Sequence, residues 1–184
     1  MTVRRLKVTT RTPDAGTPRA RGFYQLEEDA LYFPIETGQV RSRYFSFLDS
    51  EFVSLQLDRD GKLIFVEVTL PRRRWQVEPN LVHPEQSVPG DIRFLDFRER
   101  FGEPEILCDT DRRTVYIKFN SHPAKYTYRL ADNVLVQVDA HDHVTAVWLT
   151  GIVDDRAGKK ISAWRKALRM NVAIPLQAAA VSQM

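Results

Sequence analysis

A hairpin is written into the chain between Val53 and Leu70, and it constrains the fold more than any other feature. Val53, Leu55 and Leu57 alternate with polar residues, Asp58-Arg59-Asp60-Gly61 follows, and Ile64, Val66, Val68 and Leu70 resume the alternation with Glu67 and Thr69 opposite. Period-two alternation places one apolar row on one face of a strand, and an Asp-Gly pair between two such runs supplies the left-handed residue that a tight turn needs. A two-stranded hairpin is marginal alone, so this one requires further strands and an apolar layer to lie against. The same alternation, rich in β-branched and aromatic residues, runs from Phe23 to Val153 with turn residues every 8–14 positions. The expected class is therefore mainly β, or β-dominated α+β.

A second copy of the pattern follows. Val53-Ser54-Leu55-Gln56-Leu57-Asp58 aligns with Val134-Leu135-Val136-Gln137-Val138-Asp139 at an offset of 81, and Phe65 to Thr69 aligns with Ala146 to Thr150 at the same offset. Leu31-Tyr32 aligns with Val115-Tyr116 at 84, the difference falling between Gly38 and Ser50, where a loop can absorb it. Self-similarity of this kind points to two pseudo-repeated antiparallel meanders, packed as a sandwich or partial barrel. Phe23 to Phe33 reads as an earlier hairpin turning at Glu27-Glu28-Asp29, and Asp91 to Arg98 as a strand.

Pro79, Pro84, Pro89 and Gly90 break helix and ladder alike. They divide the chain into an N-terminal β unit with a basic arm (1–78), a connector (79–90) and a second β unit with a C-terminal helix and tail (91–184). The helix is expected because Ile161, Trp164, Leu168 and Val172 recur at helical spacing, forming an apolar stripe suited to a sheet face.

Charge is unevenly spread. Residues 1–22 carry +5 and residues 156–184 carry +6, leaving the body at −8 within a net charge of +3. An acidic body repels phosphate backbones, so nucleic acid would have to meet the ends or a local basic patch. The lone Cys108 can form no intramolecular disulfide, and no apolar run approaches a membrane span or an export signal, so a cytoplasmic location with no membrane contact is expected.

Asp29-Ala30-Leu31-Tyr32 and then Val53 to Val68, with its Asp-Arg-Asp-Gly turn and Val66-Glu67-Val68, resemble a family of short bacterial domains of unknown function. That resemblance covers about 40 residues of the first half and implies a β-meander, sometimes beside a small toxin–antitoxin-like neighbour, without a known activity. The second half departs from it at Arg113-Thr114, Asp139-Ala140-His141-Asp142 and Trp148.

Candidate sites are few. Asp139, His141 and His143 supply metal-ligand types within five residues, at a hairpin tip where polar residues belong in any case. Asp58 to Gly61 does not fit a calcium loop, because its glycine is fourth rather than sixth. Arg72-Arg73-Arg74-Trp75 joins guanidinium groups to an indole, the pairing that single-stranded nucleic acid or a partner would use, although arginines at a strand end also deter sheet-to-sheet pairing. No phosphate-loop, nucleotide-fold, nucleophile-elbow or zinc-protease motif occurs. An acid–base site would have to be assembled from residues as scattered as Glu36, Glu67 and Glu78, and His83 and His122 each precede proline. The sequence thus favours a non-catalytic binding or regulatory protein with no cofactor, acting through a protein partner or self-association. Nucleic-acid binding through Arg72 to Trp75 and the basic termini is the alternative, and a metal-dependent or acid–base enzyme the remaining one.

Overall fold

The computed structural model of the chain describes residues 6–36 and 44–155. Where the alternation is clearest the chain is extended: β1 (Val8–Arg11), β2 (Arg19–Ala20), β3 (Phe23–Gln25), β4 (Ala30–Glu36), β5 (Ser46–Asp49), β6 (Val53–Leu57) and β7 (Leu63–Val68). A single 3-10 turn at Arg72–Arg74 follows Pro71. Then come β8 (Gln76–Val77), β9 (Val88–Pro89), β10 (Asp91–Phe94), β11 (Glu99–Arg100), β12 (Glu105–Cys108), β13 (Val115–Lys118), β14 (Tyr126–Ala131), β15 (Val134–Val138), β16 (Val144–Leu149) and β17 (Val153–Asp155). The amphipathic helix expected at 161–172 and the tail beyond it lie outside the described residues, as do Arg4 and Arg5 of the basic arm.

Two large sheets hold most of these strands. One runs β11-β5-β6-β7-β4-β3-β17 with β2 beside β4, the other β8-β12-β13-β16-β15-β14-β9, and β1 pairs with β10 separately. The sheets follow one connectivity: β5-β6-β7-β4-β3 in the first corresponds to β14-β15-β16-β13-β12 in the second. Register agrees as well. Val53 faces Val68 and Leu55 faces Val66, while Val134 faces Leu149 and Val136 faces Val147, and a bulge follows Gln56 in one and Gln137 in the other.

The connectivity is not the simple meander expected. β5, β6 and β7 form a meander, but β4 lies beside β7, giving Greek-key order. Alternation tells which residues face a core and not which strand is the neighbour. The deciding feature is β4 itself: Ala30, Leu31, Tyr32 and Phe33 are all buried, so this strand needs cover on both faces and partners on both sides.

The chain crosses between sheets rather than finishing one before starting the next. After β7 it leaves for the second sheet, where β8 pairs parallel with β12, and after β16 it returns to the first, where β17 pairs parallel with β3. β11 joins β5 and β9 joins β14, each again in parallel. The segments on either side of 79–90 therefore lend strands to each other's sheet. Apolar residues of both sheets, among them Phe33, Leu55, Val66, Ile117, Val136 and Val147, belong to one contiguous buried cluster. Among the described residues both ends of both large sheets are strands of two or three residues, short templates for the addition of another chain.

Candidate functional site

The arginine run sits where the chain leaves the first sheet for the second, and its side chains serve that crossing. Arg72 donates to Asp154 of β17 at 2.7 Å, and its guanidinium lies 4.4 Å from the Tyr24 ring centroid. The Arg72 backbone N–H donates to the Tyr24 hydroxyl, which in turn donates to Asp29, each at 2.9 Å. Arg73 reaches the other oxygen of Asp29 at 2.9 Å, and Arg74 lies over Phe52. The Tyr24 hydroxyl and then Arg73 hold the Asp29 carboxyl below its usual range, while burial raises the Tyr24 phenol. Trp75, expected to offer a stacking face, is in the core instead: only 3% of it is exposed, its indole N–H donates to the Leu70 carbonyl at 2.9 Å, and its ring meets Tyr24 edge-on. The motif is a clamp on the crossover. A sequence shows four adjacent residues; their distant partners come from two strands, β3 and β17, and two turns, at Asp29 and Phe52.

The Asp139 cluster is likewise occupied by its own turn. One carboxylate oxygen of Asp139 accepts the backbone N–H groups of His141 at 2.8 Å and His143 at 3.0 Å. Asp58, 81 positions earlier, accepts those of Asp60 and Lys62 at 2.9 Å each. The two turns are the same device, an aspartate organising a hairpin tip, with Gly61 and Asp142 both at positive φ. Burial raises the Asp58 carboxyl above its usual range. At Asp139 burial also pushes upward, but the backbone N–H groups of His143 and His141 and the nearby imidazoles outweigh it, and the carboxyl is held low. Among the described residues no group of three or more metal-ligating side chains converges.

The carboxylates weighed for acid–base work are dispersed. Tyr32 pairs with Glu67, and Glu36 lies four residues further along β4, roughly 13 Å away at strand rise. Glu78 follows β8 at the edge of the other sheet and accepts the Asn80 N–H. His83 packs edge-on against Trp148, and the His122 N–H donates to Asn120.

A groove not anticipated from the sequence opens at the β9–β14 edge of the second sheet. Gln86, Ser87 and Val88 form one wall and Lys125, Tyr126, Thr127 and Tyr128 the other, around an open volume of about 450 Å³. The Tyr126 and Tyr128 rings are 5.9 Å apart, and the Lys125 ammonium is 5.2 Å from the Tyr126 centroid. On the other face of β14, the Trp148 indole N–H donates to Gln137, whose amide donates to the Thr127 hydroxyl. Gly90 permits the wall to approach, because a Cβ there would lie 2.8 Å from the Tyr128 ring. Val88 and Tyr126 remain 63% and 44% exposed, an apolar lining without cover. The signal in the sequence was the pair of tyrosines two apart, which put both rings on one strand face; 86–90 read only as a break. Aromatic faces, an ammonium and neutral hydrogen-bonding groups line it. No protein-family model matches the chain, and no curated protein matches it.

Proposed function

We propose that the protein is a non-catalytic binding module that meets a protein partner through the β9–β14 groove, taking an extended peptide segment with a carboxylate for Lys125 and an apolar or proline residue for the tyrosine faces. The observation that carries this reading is the exposed pair Val88 and Tyr126 beside a charged ammonium in the groove. Tyrosine-lined grooves favour extended, preorganised segments because aromatic faces supply contact area at small entropic cost. Strand addition at this edge is the less apt mode, since Pro89 has no N–H to offer and β9 is only two residues long. Trp75 is buried and Arg72 to Arg74 each have an intramolecular contact, which weighs against a nucleic-acid site at this run.

The same reading takes the two sheets as copies of one ancestral unit, packed as a sandwich, with the first copy akin to the short bacterial domains that it resembles. The buried, unpaired Cys108 suits a reducing, cytoplasmic setting.

The test is selection from a displayed peptide library against the whole protein, followed by titration of the enriched peptides. Extended peptides bearing an acidic residue should bind the wild type and lose at least about tenfold affinity, or roughly 1.4 kcal/mol, to a Tyr126→Ala/Lys125→Glu variant. No enrichment, or binding indifferent to that variant, would overturn the proposal.

A further inference from the structure

The connector between β8 and β9 is a strap stretched over the outward face of the second sheet. β8 lies on β12 and β9 on β14, at opposite edges of that sheet. The strand spacings between them add to roughly 29 Å, so the chain from Val77 to Val88 crosses nearly extended. His83 marks its path, because it meets the Trp148 ring at 5.6 Å, and Trp148 alternates with Val147 and Leu149 of the core and so points outward. Exposure along the strap recurs every three residues: Leu81, Pro84 and Ser87 are half-buried, while Val82, His83, Glu85, Gln86 and Val88 are exposed. Three residues per turn is the polyproline II repeat, and Pro84 and Pro89 hold the residues before them in that region of backbone conformation.

Val82, Glu85 and Val88 form one solvent-facing row of the strap. Its two valines, at 75% and 63%, are the most exposed large hydrophobic residues among those described. Glu85 has no ion-pair partner among the described residues, and neither has Lys125 in the groove, so the strap's carboxylate is not satisfied by the ammonium of its own chain. An apolar residue followed one turn later by a carboxylate is the kind of segment that the groove would take. That turn spans about 9 Å. The Lys125 ammonium is 5.2 Å from the Tyr126 centroid and that ring is 5.9 Å from the Tyr128 ring, so a carboxylate on the ammonium leaves the residue one turn before it within reach of the tyrosine faces.

We infer that the partner of the groove is a second copy of this chain, the strap of each copy entering the groove of the other with Glu85 on Lys125 and Val82 against the tyrosines. The inference rests on the groove being a peptide site and names its occupant. Val88 belongs to both strap and groove, so the two surfaces are contiguous, and a twofold rotation that seats one strap seats the other in return. The strap is already anchored along Leu81, His83 and Pro84, so docking it orders little further chain.

Sedimentation velocity of the full chain over a wide range of concentration tests this by exchanging the charges. The wild type should dimerise reversibly. Glu85→Lys and Lys125→Glu, both at exposed side chains and both checked for folding by far-UV circular dichroism, should each weaken the dimer at least about tenfold, because each sets like charges together twice. An equal mixture of the two variants, and the double variant Glu85→Lys/Lys125→Glu, should regain the wild-type affinity, since opposite charges meet again at both contacts. A wild type that stays monomeric at every concentration overturns the inference, as does a dimer unmoved by either reversal or not restored by the exchange. Titration of enriched peptides into the same proteins keeps the two readings apart. Peptides that bind a monomeric wild type and lose affinity in Lys125→Glu overturn the second copy and leave the groove a peptide site, whereas a groove that engages neither peptide nor second copy overturns both.

Discussion

Replacing Gly61 separates two reasons for a glycine at a hairpin tip. Its φ is +78°, and a Cβ at this position would stand 2.3 Å from the Phe94 carbonyl oxygen, a backbone atom. The same contact carries a hydrogen bond from the Phe94 N–H to the Gly61 carbonyl at 2.8 Å, which ties the first hairpin to β10. In Gly61→Ala the left-handed conformation costs about 1 kcal/mol. Moving β10 aside costs about 1–3 kcal/mol as overpacking, and the weakened hydrogen bond about 1 kcal/mol more. The total is about 3–5 kcal/mol, a large part of the stability of a typical domain. Asparagine tolerates the left-handed region but keeps the Cβ, so Gly61→Asn should still lose about 2–4 kcal/mol. At the matching tip Asp142 has φ +62° with its Cβ already accommodated, and Asp142→Gly should be neutral or stabilising by up to about 1 kcal/mol. Urea unfolding with a common m value reads all three. If Gly61→Asn lies within about 0.5 kcal/mol of the wild type, turn conformation alone explains the glycine and the close approach to β10 is refuted.

Other consequences are equally direct. Arg72→Ala should lower stability by about 1–2 kcal/mol in urea unfolding through loss of the Asp154 bond and the Tyr24 contact, whereas the more exposed Arg73→Ala should cost about 0.5 kcal/mol or less; equal effects would contradict the clamp. Asp139 is held low by its turn, so its contribution is present above the usual carboxyl range and is lost as pH falls through its folded value. Asp58 is raised, so its contribution is present at acid pH and is lost as pH rises through its folded value. Asp139→Asn should therefore destabilise at pH 7 and lose that effect in acid, while Asp58→Asn should not destabilise at pH 7; urea midpoints at both ends of the range check the opposition. Burial raises the Cys108 thiol, so a thiol reagent should label it only on unfolding, and rapid labelling of the native protein would contradict the interior placed around it.

For the longer strands, the sequence by itself determined which residues are extended, which face inward and where the chain turns. Alternation in β6, β7, β15 and β16, and an aspartate whose carboxylate captures the N–H groups two and four residues on, are local matters decided within a few bonds. The 81-residue offset was legible for the same reason, and the β6–β7 and β15–β16 pairs that it relates share one register. Partner choice was decided only in three dimensions. That β4 lies against β7, that β8 and β17 are exchanged, that the three arginines clamp a crossover and that Tyr126 and Val88 border one groove all depend on residues far apart in the chain. A strand's side-chain pattern specifies its faces, but its hydrogen-bonding edges are backbone and nearly identical in every strand. Neighbours are therefore settled by how the collective apolar surface can best be buried, which no short stretch of sequence records.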